Sequence, residues 1–331
     1  MTDLLVILTP ILLLGVVALL GFVGCNQVFG VKPTQLEIIT SSIVPSSGPS
    51  AGGTPVQIFG SNLTGVDTVA FGGAAGSNIS VINDGEVDAV TPQHPAGQVS
   101  VILTRSNPYD DNANDPVSFT YAAIGFVQTA SNFQPINPPI SVALNNTTQG
   151  NLLIAAVTYG GPPAGSVTVK DNMNNTFTLA GSGPWLGQSR LFYLPNIPGG
   201  NVTITATGAG GAGGPCNICV SEYSGADPSS QAVYGFSTKA SLNAGTPGIE
   251  TMRGVAVSPA QAGDIVYVVV IASQPTSLVA GPGFVPHPST VTSVLVEDNA
   301  SAVTAAQTVA TDDTTGGNFL PWVILAVAIK A

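Results

Sequence analysis

Cys216 and Cys219 are separated by two residues, and that spacing can serve a local disulfide, a redox couple or half of a zinc site. Zinc needs four ligands. The chain has no second cysteine pair, and its histidines, His94 and His287, are far apart and each beside a proline. No helix-start signal precedes the pair to stabilise a thiolate. The pattern predicts a structural disulfide between Cys216 and Cys219, with free buried thiols as the alternative.

Glu222 is the best candidate for acid–base chemistry, because it lies in the apolar run Ile218–Tyr223, where burial would raise its pKa. A glycosidase needs a second carboxylate across a cleft. Asp227, Glu250 and Asp264 are available and nothing selects one, so no residue is assigned as catalytic. Trp185, in Ser182-Gly183-Pro184-Trp185-Leu186-Gly187, sits in a loop and is the candidate for stacking on a sugar. Trp322 opens an apolar run and reads as core or rim packing. Asp110, Asp111 and Asp115 fall in a six-residue stretch rich in oxygen ligands. Calcium needs six to eight such oxygens. The Gly and terminal Glu of the helix-loop-helix calcium motif are missing, so a solvated turn competes with a calcium site. No other cofactor is expected.

The surrounding composition favours strands. Gly (39) and Pro (26) are abundant over 331 residues, and charged residues make up 8%. That mixture fits short strands joined by tight turns. Net charge is −11, and the seven basic residues are scattered singly. Nucleic acid is thereby excluded as a partner, since phosphate binding needs clustered Lys and Arg.

Leu4 to Val23 carries no charge. As a helix it would be roughly 30 Å long, the thickness of a bilayer core. Residues 1–30 are therefore expected to form a hydrophobic helix that anchors the chain in a membrane. The alternative is a lipoprotein-type signal ending at Phe22-Val23-Gly24-Cys25, with Cys25 as the lipidated terminus. Lys32 on the expected outer side runs against the positive-inside rule. One local cysteine pair plus one membrane-proximal cysteine fits an exported protein of the cell envelope.

From Ile39 the chain reads I-T-S-S-I-V-P-S-S-G-P-S-A-G-G-T-P-V-Q-I-F-G-S-N-L. Pro45, Gly48, Pro49, Gly52, Gly53, Thr54, Val56, Ile58, Gly60 and Leu63, then Val69–Gly72, Val90-Thr91-Pro92, Gly97–Val101 and Phe119-Thr120-Tyr121, resemble an IPT/TIG domain. The resemblance implies an immunoglobulin-like sandwich over 35–122, of a kind used as a spacer or adhesion module. The residues agree: Val56 and Ile58, Val69 and Phe71, and Val99 and Val101 alternate as half-buried strands do. Gly60 inside a strand pattern suggests a bulge or a close backbone approach.

Residues 124–331 are expected to form a second β-sandwich domain. Leu152–Val157 and Ile265–Ile271 are continuous apolar runs and read as central strands covered on both faces. Asp171–Asn175 reads as a hairpin turn, and Gly208–Gly214 as a Gly/Ala loop. Gly150–Leu153, Val169–Leu179 and Ser221–Gly225 are similar to a jelly-roll-like module of bacterial extracellular proteins. Ser166–Asn172 resembles Ser293–Asn299, which is too short a match to mark a repeat.

The expected fold is thus all-β, with two sandwiches behind an N-terminal helix. The expected function is that of a membrane-tethered extracellular structural or adhesive protein without catalysis. Its partners would be other surface proteins, copies of itself or an extracellular polymer. The alternative is a carbohydrate-binding or polysaccharide-degrading surface protein.

Overall fold

A computed structural model describes residues 37–106, 116–135, 139–160, 167–183, 187–208, 215–241, 251–257, 263–272, 278–281, 283–287, 289–291, 293–299, 307–313 and 322–331. Every regular element among them is a strand. No helix among the described residues is long and apolar enough to cross a membrane. The helix expected over 4–23, and Cys25, lie outside the described residues.

Residues 39–122 contribute β1 (Ile39–Val44), β2 (Ser47–Pro49), β3 (Pro55–Ser61), β4 (Thr68–Phe71), β5 (Ala74–Ala75), β6 (Ser77–Asn83), β7 (Glu86–Val90), β8 (Gly97–Thr104) and β9 (Val117–Ala122). They form two sheets, β1-β3-β7-β6 and β2-β9-β8-β4-β5. Alternation places Val56, Ile58, Val87 and Ala89 of one sheet against Val69, Phe71, Val101, Leu103, Phe119 and Tyr121 of the other. Phe71 and Phe119 meet edge to face at 5.7 Å. Gly60 is required by a close approach: a Cβ there would lie 2.1 Å from the Ile39 carbonyl oxygen. The β1–β3 register shifts beside it, between Thr40 and Ser42.

The described residues after 122 make sixteen strands. The first eight are β10 (Gly125–Gln134), β11 (Ile140–Thr147), β12 (Leu152–Gly160), β13 (Val167–Asp171), β14 (Thr178–Gly183), β15 (Gly187–Leu194), β16 (Gly200–Gly208) and β17 (Cys216–Ser224). The second eight are β18 (Val233–Ser241), β19 (Thr251–Val257), β20 (Ile265–Ala272), β21 (Leu278–Val279), β22 (Val285–His287), β23 (Val294–Asn299), β24 (Gln307–Asp313) and β25 (Trp322–Ile329). The first set forms sheets β10-β17-β12-β15-β14 and β11-β16-β13; the second forms β18-β25-β20-β23-β22 and β19-β24-β21. Adding eight to each strand number turns the first pair of sheets into the second, so the same topology occurs twice. In each set the first strand pairs with the eighth, the second with the seventh and the third with the sixth.

The expected Ser166–Asn172 and Ser293–Asn299 similarity does not mark this duplication. The first stretch runs into β13 and the second into β23, which occupy different places in the topology. The equivalent central strands are β12 and β20, each entered through a positive-φ glycine, Gly150 and Gly263.

The five-stranded sheets β10-β17-β12-β15-β14 and β18-β25-β20-β23-β22 pack on each other. Leu152, Ile154 and Ala156 of β12 share a core with Tyr267, Val269 and Ile271 of β20 and Val323, Leu325 and Val327 of β25. The opposite face of β12, through Leu153, Ala155 and Val157, fills the core against β11, β13 and β16. Val266, Val268 and Val270 of β20 turn to a separate core. Both apolar runs are therefore central strands covered on two faces, as their composition implies. At the rims the contact is reciprocal. Phe126 of β10 stacks on His287 of β22, while β14 packs on β18 so closely that a Cβ on Gly181 would lie 2.2 Å from the Phe236 ring. Fully burying a large apolar side chain is worth about 1.5–3 kcal/mol. The shared core holds many of them, drawn from both sheets.

Candidate functional site

Cys216 and Cys219 lie on β17 with an odd offset of three residues. Successive strand side chains alternate between faces, so Cys216 enters the core against β16 and Cys219 enters the shared core. Both are free thiols. The expected disulfide is thus corrected: the strand separates its partners across the sheet. Burial pushes the Cys219 thiol up to about 12 and raises Cys216 as well. Neither is poised as a nucleophile.

Glu222, also on β17, is fully buried. It accepts hydrogen bonds from Gln128 Nε2 at 2.6 Å, the Thr148 amide at 2.8 Å and Asn151 Nδ2 at 2.7 Å. These donors tie β10, the β11–β12 turn and β17 together. The acids considered as its partner are engaged elsewhere. Asp227 accepts from Lys330 Nζ at 2.6 Å, and Asp264 accepts from the Ala331 amide at 2.9 Å and from the Tyr234 hydroxyl. Glu250 lies outside the described residues.

A larger polar group sits where the two five-stranded sheets meet. Tyr223 donates its hydroxyl to Asp298 Oδ2 at 2.7 Å, and His287 Nε2 lies 2.7 Å from the same oxygen. The Phe126 ring covers the imidazole at a centroid distance of 3.6 Å. Tyr267 meets Tyr223 edge to face at 5.9 Å. Burial, reinforced by the Asp298 charge, holds the Tyr223 phenol well above its ordinary range, so it remains a donor. Beside it Ser131 Oγ lies 2.7 Å from Ser289 Oγ, and Thr290 Oγ1 donates to the Ser131 carbonyl at 2.9 Å.

A His–Asp pair can serve acid–base catalysis when the imidazole faces a nucleophile or a substrate. Here the ring is capped by Phe126, and His287 and Asp298 are 8% and 4% exposed. The arrangement fastens two sheets together. The residue next to Asp298 points the other way. Glu297 faces the second core, where the Gly281 amide donates to Oε2 at 2.8 Å, while no donor among the described residues reaches Oε1. Burial pushes its carboxyl up to about 7, with the Asp298 charge adding to the rise.

The Asp171–Asn175 turn forms as expected, with Asp171 Oδ1 accepting from the Met173 and Asn175 amides at 3.0 and 2.7 Å. The candidate sugar contact Trp185, the candidate calcium ligands Asp110, Asp111 and Asp115, and the 209–214 part of the Gly/Ala loop lie outside the described residues. Among the described residues no group of three or more His, Cys, Asp or Glu could hold a metal ion. Sequence reasoning missed the His287–Asp298–Tyr223 group, whose members are brought together by a hairpin and by sheet-on-sheet packing. The only local signal was the acidic pair Glu297-Asp298 within an apolar strand.

Residues 39–121 match the family model of the IPT/TIG domain. No curated protein matches the chain. Among solved structures, the chain is similar to the full extracellular region of Plexin A4, at 15% identity and a TM-score of 0.27, over 54% of this chain and 16% of that one. It is similar to a structure described as a complex with xylogluco-oligosaccharide, at 13% identity and a TM-score of 0.24, over 56% of each chain. It is also similar to the Bacteroides ovatus mixed-linkage glucan utilization locus SGBP-B in complex with a mixed-linkage heptasaccharide, at 11% identity and a TM-score of 0.21, over 87% of this chain and 74% of that one. The chain thus spans about a sixth of the length of the plexin region it matches.

Proposed function

We propose that this chain, whose residues 39–121 form an IPT/TIG domain, is a non-catalytic structural or adhesive protein of the cell envelope. On this reading it is membrane-tethered through residues 4–23, with the IPT/TIG domain lying between that anchor and the four-layered body of residues 125–329. The nested strand pairing of residues 125–329 supports the jelly-roll-like reading of that region. The observation that carries the proposal is the use made of buried polar groups. Glu222, Asp227, Asp264 and Asp298 all accept bonds from other segments of the chain, and Glu297, whose Oε1 no donor among the described residues reaches, is fully buried rather than set at a cleft. A chain built for catalysis holds such groups at a cleft with unspent bonding capacity. Low charge and a body of stacked sheets suit a load-bearing part.

The test is protease treatment of intact, unpermeabilised cells that make the chain in its native form. Release of peptides from 39–121 without lysis is the expected result. Release only after permeabilisation would contradict an extracellular position.

A further inference from the structure

Asparagine recurs in the pattern Asn-X-Ser/Thr, the acceptor pattern for N-linked sugars. Three copies of it converge on one corner of the first set of eight strands. Asn146-Thr147-Thr148 runs off the end of β11, Asn174-Asn175-Thr176 closes the turn after β13, and Asn201-Val202-Thr203 opens β16. β11, β16 and β13 are neighbours in one sheet. The Asn146 amide donates to Asn201 Oδ1 at 3.0 Å, and the Thr203 amide donates to Asn172 Oδ1 at 3.2 Å. The three segments therefore meet on the surface.

The side chains are placed as acceptors. Asn146, Asn174 and Asn201 are exposed, and so is the Thr two places after each. Lys170 Nζ donates to Asn174 Oδ1 at 2.8 Å, as the Asn146 amide does to Asn201 Oδ1. Those oxygens are held, while the Nδ2 atoms of all three have no acceptor among the described residues. Turn geometry explains only part of this. Asparagine tolerates the left-handed backbone, which Asn146 and Asn174 adopt at φ of 54° and 69°. It does not explain Asn201, which lies in a strand, or a hydroxyl two places on. Asn196, at a φ of 53°, is followed there by Pro198.

Elsewhere the same pattern is blocked or isolated. Asn62 spends its Nδ2 on the Glu37 carbonyl at 2.8 Å. Asn299 is buried. Two places after Asn145, Thr147 is buried and donates its hydroxyl to the Gly200 carbonyl at 2.8 Å. Asn78-Ile79-Ser80 is exposed but stands apart on β6.

We propose that the corner formed by Asn146, Asn174 and Asn201 is a site of N-linked glycosylation. The donor is an oligosaccharide carried on a polyprenyl phosphate. Asn Nδ2 bonds to the anomeric carbon as the bond from that carbon to the phosphate oxygen breaks. Nδ2 gives up one proton, the lipid phosphate leaves, and nothing is oxidised or reduced. The proposal rests on the extracellular reading above, since the transfer takes place on the side of a membrane to which chains are exported.

The experiment is peptide mapping by mass spectrometry of the intact chain, purified from the cells that make it natively. Sugar on at least one of Asn146, Asn174 and Asn201 is expected, with Asn62, Asn145 and Asn299 bare. Thr148→Ala, Thr176→Ala and Thr203→Ala, each at an exposed position, are expected to abolish the sugar on their own asparagine and on no other. Thr→Ser at the same positions is expected to keep it. Three bare asparagines in the wild type, or sugar that survives loss of its Thr, would overturn the proposal. Bare asparagines in protein that protease reaches on intact cells would leave the extracellular reading standing.

Discussion

The hydroxyl of Tyr223 lies 2.7 Å from a carboxylate oxygen of Asp298, 75 positions along the chain and on the facing sheet. That bond joins the two copies of the repeated topology. The second copy supplies the acid, at a place where strand register puts Tyr193 in the first: Ile154 pairs with Tyr193, and its equivalent Tyr267 pairs with Asp298. Removing the hydroxyl by Tyr223→Phe leaves a buried carboxylate one donor short. The expected loss is about 1–3 kcal/mol, read as a lower urea midpoint with an unchanged slope.

Glu297 makes stability depend on pH. Its folded carboxyl titrates at about 7, above the ordinary value of 4.5. A raised folded pKa gives a contribution that is complete below pH 4.5 and is lost as pH rises through 7. At 1.36 kcal/mol per pKa unit the loss amounts to about 3 kcal/mol. Glu297→Gln is therefore expected to gain on the wild type as pH moves from 5 to 8.5. Urea melts of the two proteins at both values check this, and parallel curves would refute it.

Gly181 marks where β14 of one sheet lies on β18 of the other. Its Cβ position is 2.2 Å from the Phe236 ring. Gly181→Val is expected to cost about 1–3 kcal/mol through overpacking. Leu179→Ala on the same strand, where the side chain is half exposed, is expected to cost under about 0.5 kcal/mol, as surface changes do. Thermal melts of both variants give the comparison.

The two described cysteines are expected to be silent in the native state. Burial holds the Cys219 thiol at about 12, and Cys216 is also buried. Iodoacetamide should alkylate neither at pH 8 until denaturant is added. Intact mass under non-reducing conditions should show no loss of two hydrogens within the peptide that carries both.

Much of the fold is legible in the chain. Leu152–Tyr159, Ile265–Ala272 and Trp322–Ile329 read as strands because their apolar runs are long and β-branched, and they are strands at nearly those bounds. β10 and β18 are missed because their composition is mixed: Gly125–Gln134 holds Gln, Thr, Ser and Asn, and its Gln128 and Asn132 amides donate across to β11. The duplication is hidden for a similar reason. Gly150-Asn151-Leu152-Leu153 and Gly263-Asp264-Ile265-Val266 open equivalent strands, yet they share chemical character more than identity. The disulfide expectation failed because spacing was weighed without the two-residue period of a strand, which sends positions 216 and 219 to opposite faces. The polar seam has only one local signal, the acidic pair Glu297-Asp298 in an apolar strand, since His287, Asp298 and Tyr223 meet only once two sheets have packed.

Hydrogen exchange of the intact chain tests most directly whether residues 125–329 act as one rigid body. Amides of β12 and β17 in the first copy and of β20 and β25 in the second are expected to exchange together, at the rate of global unfolding. Exchange of β20 and β25 well before β12 and β17, with the first copy still protected, would contradict the account.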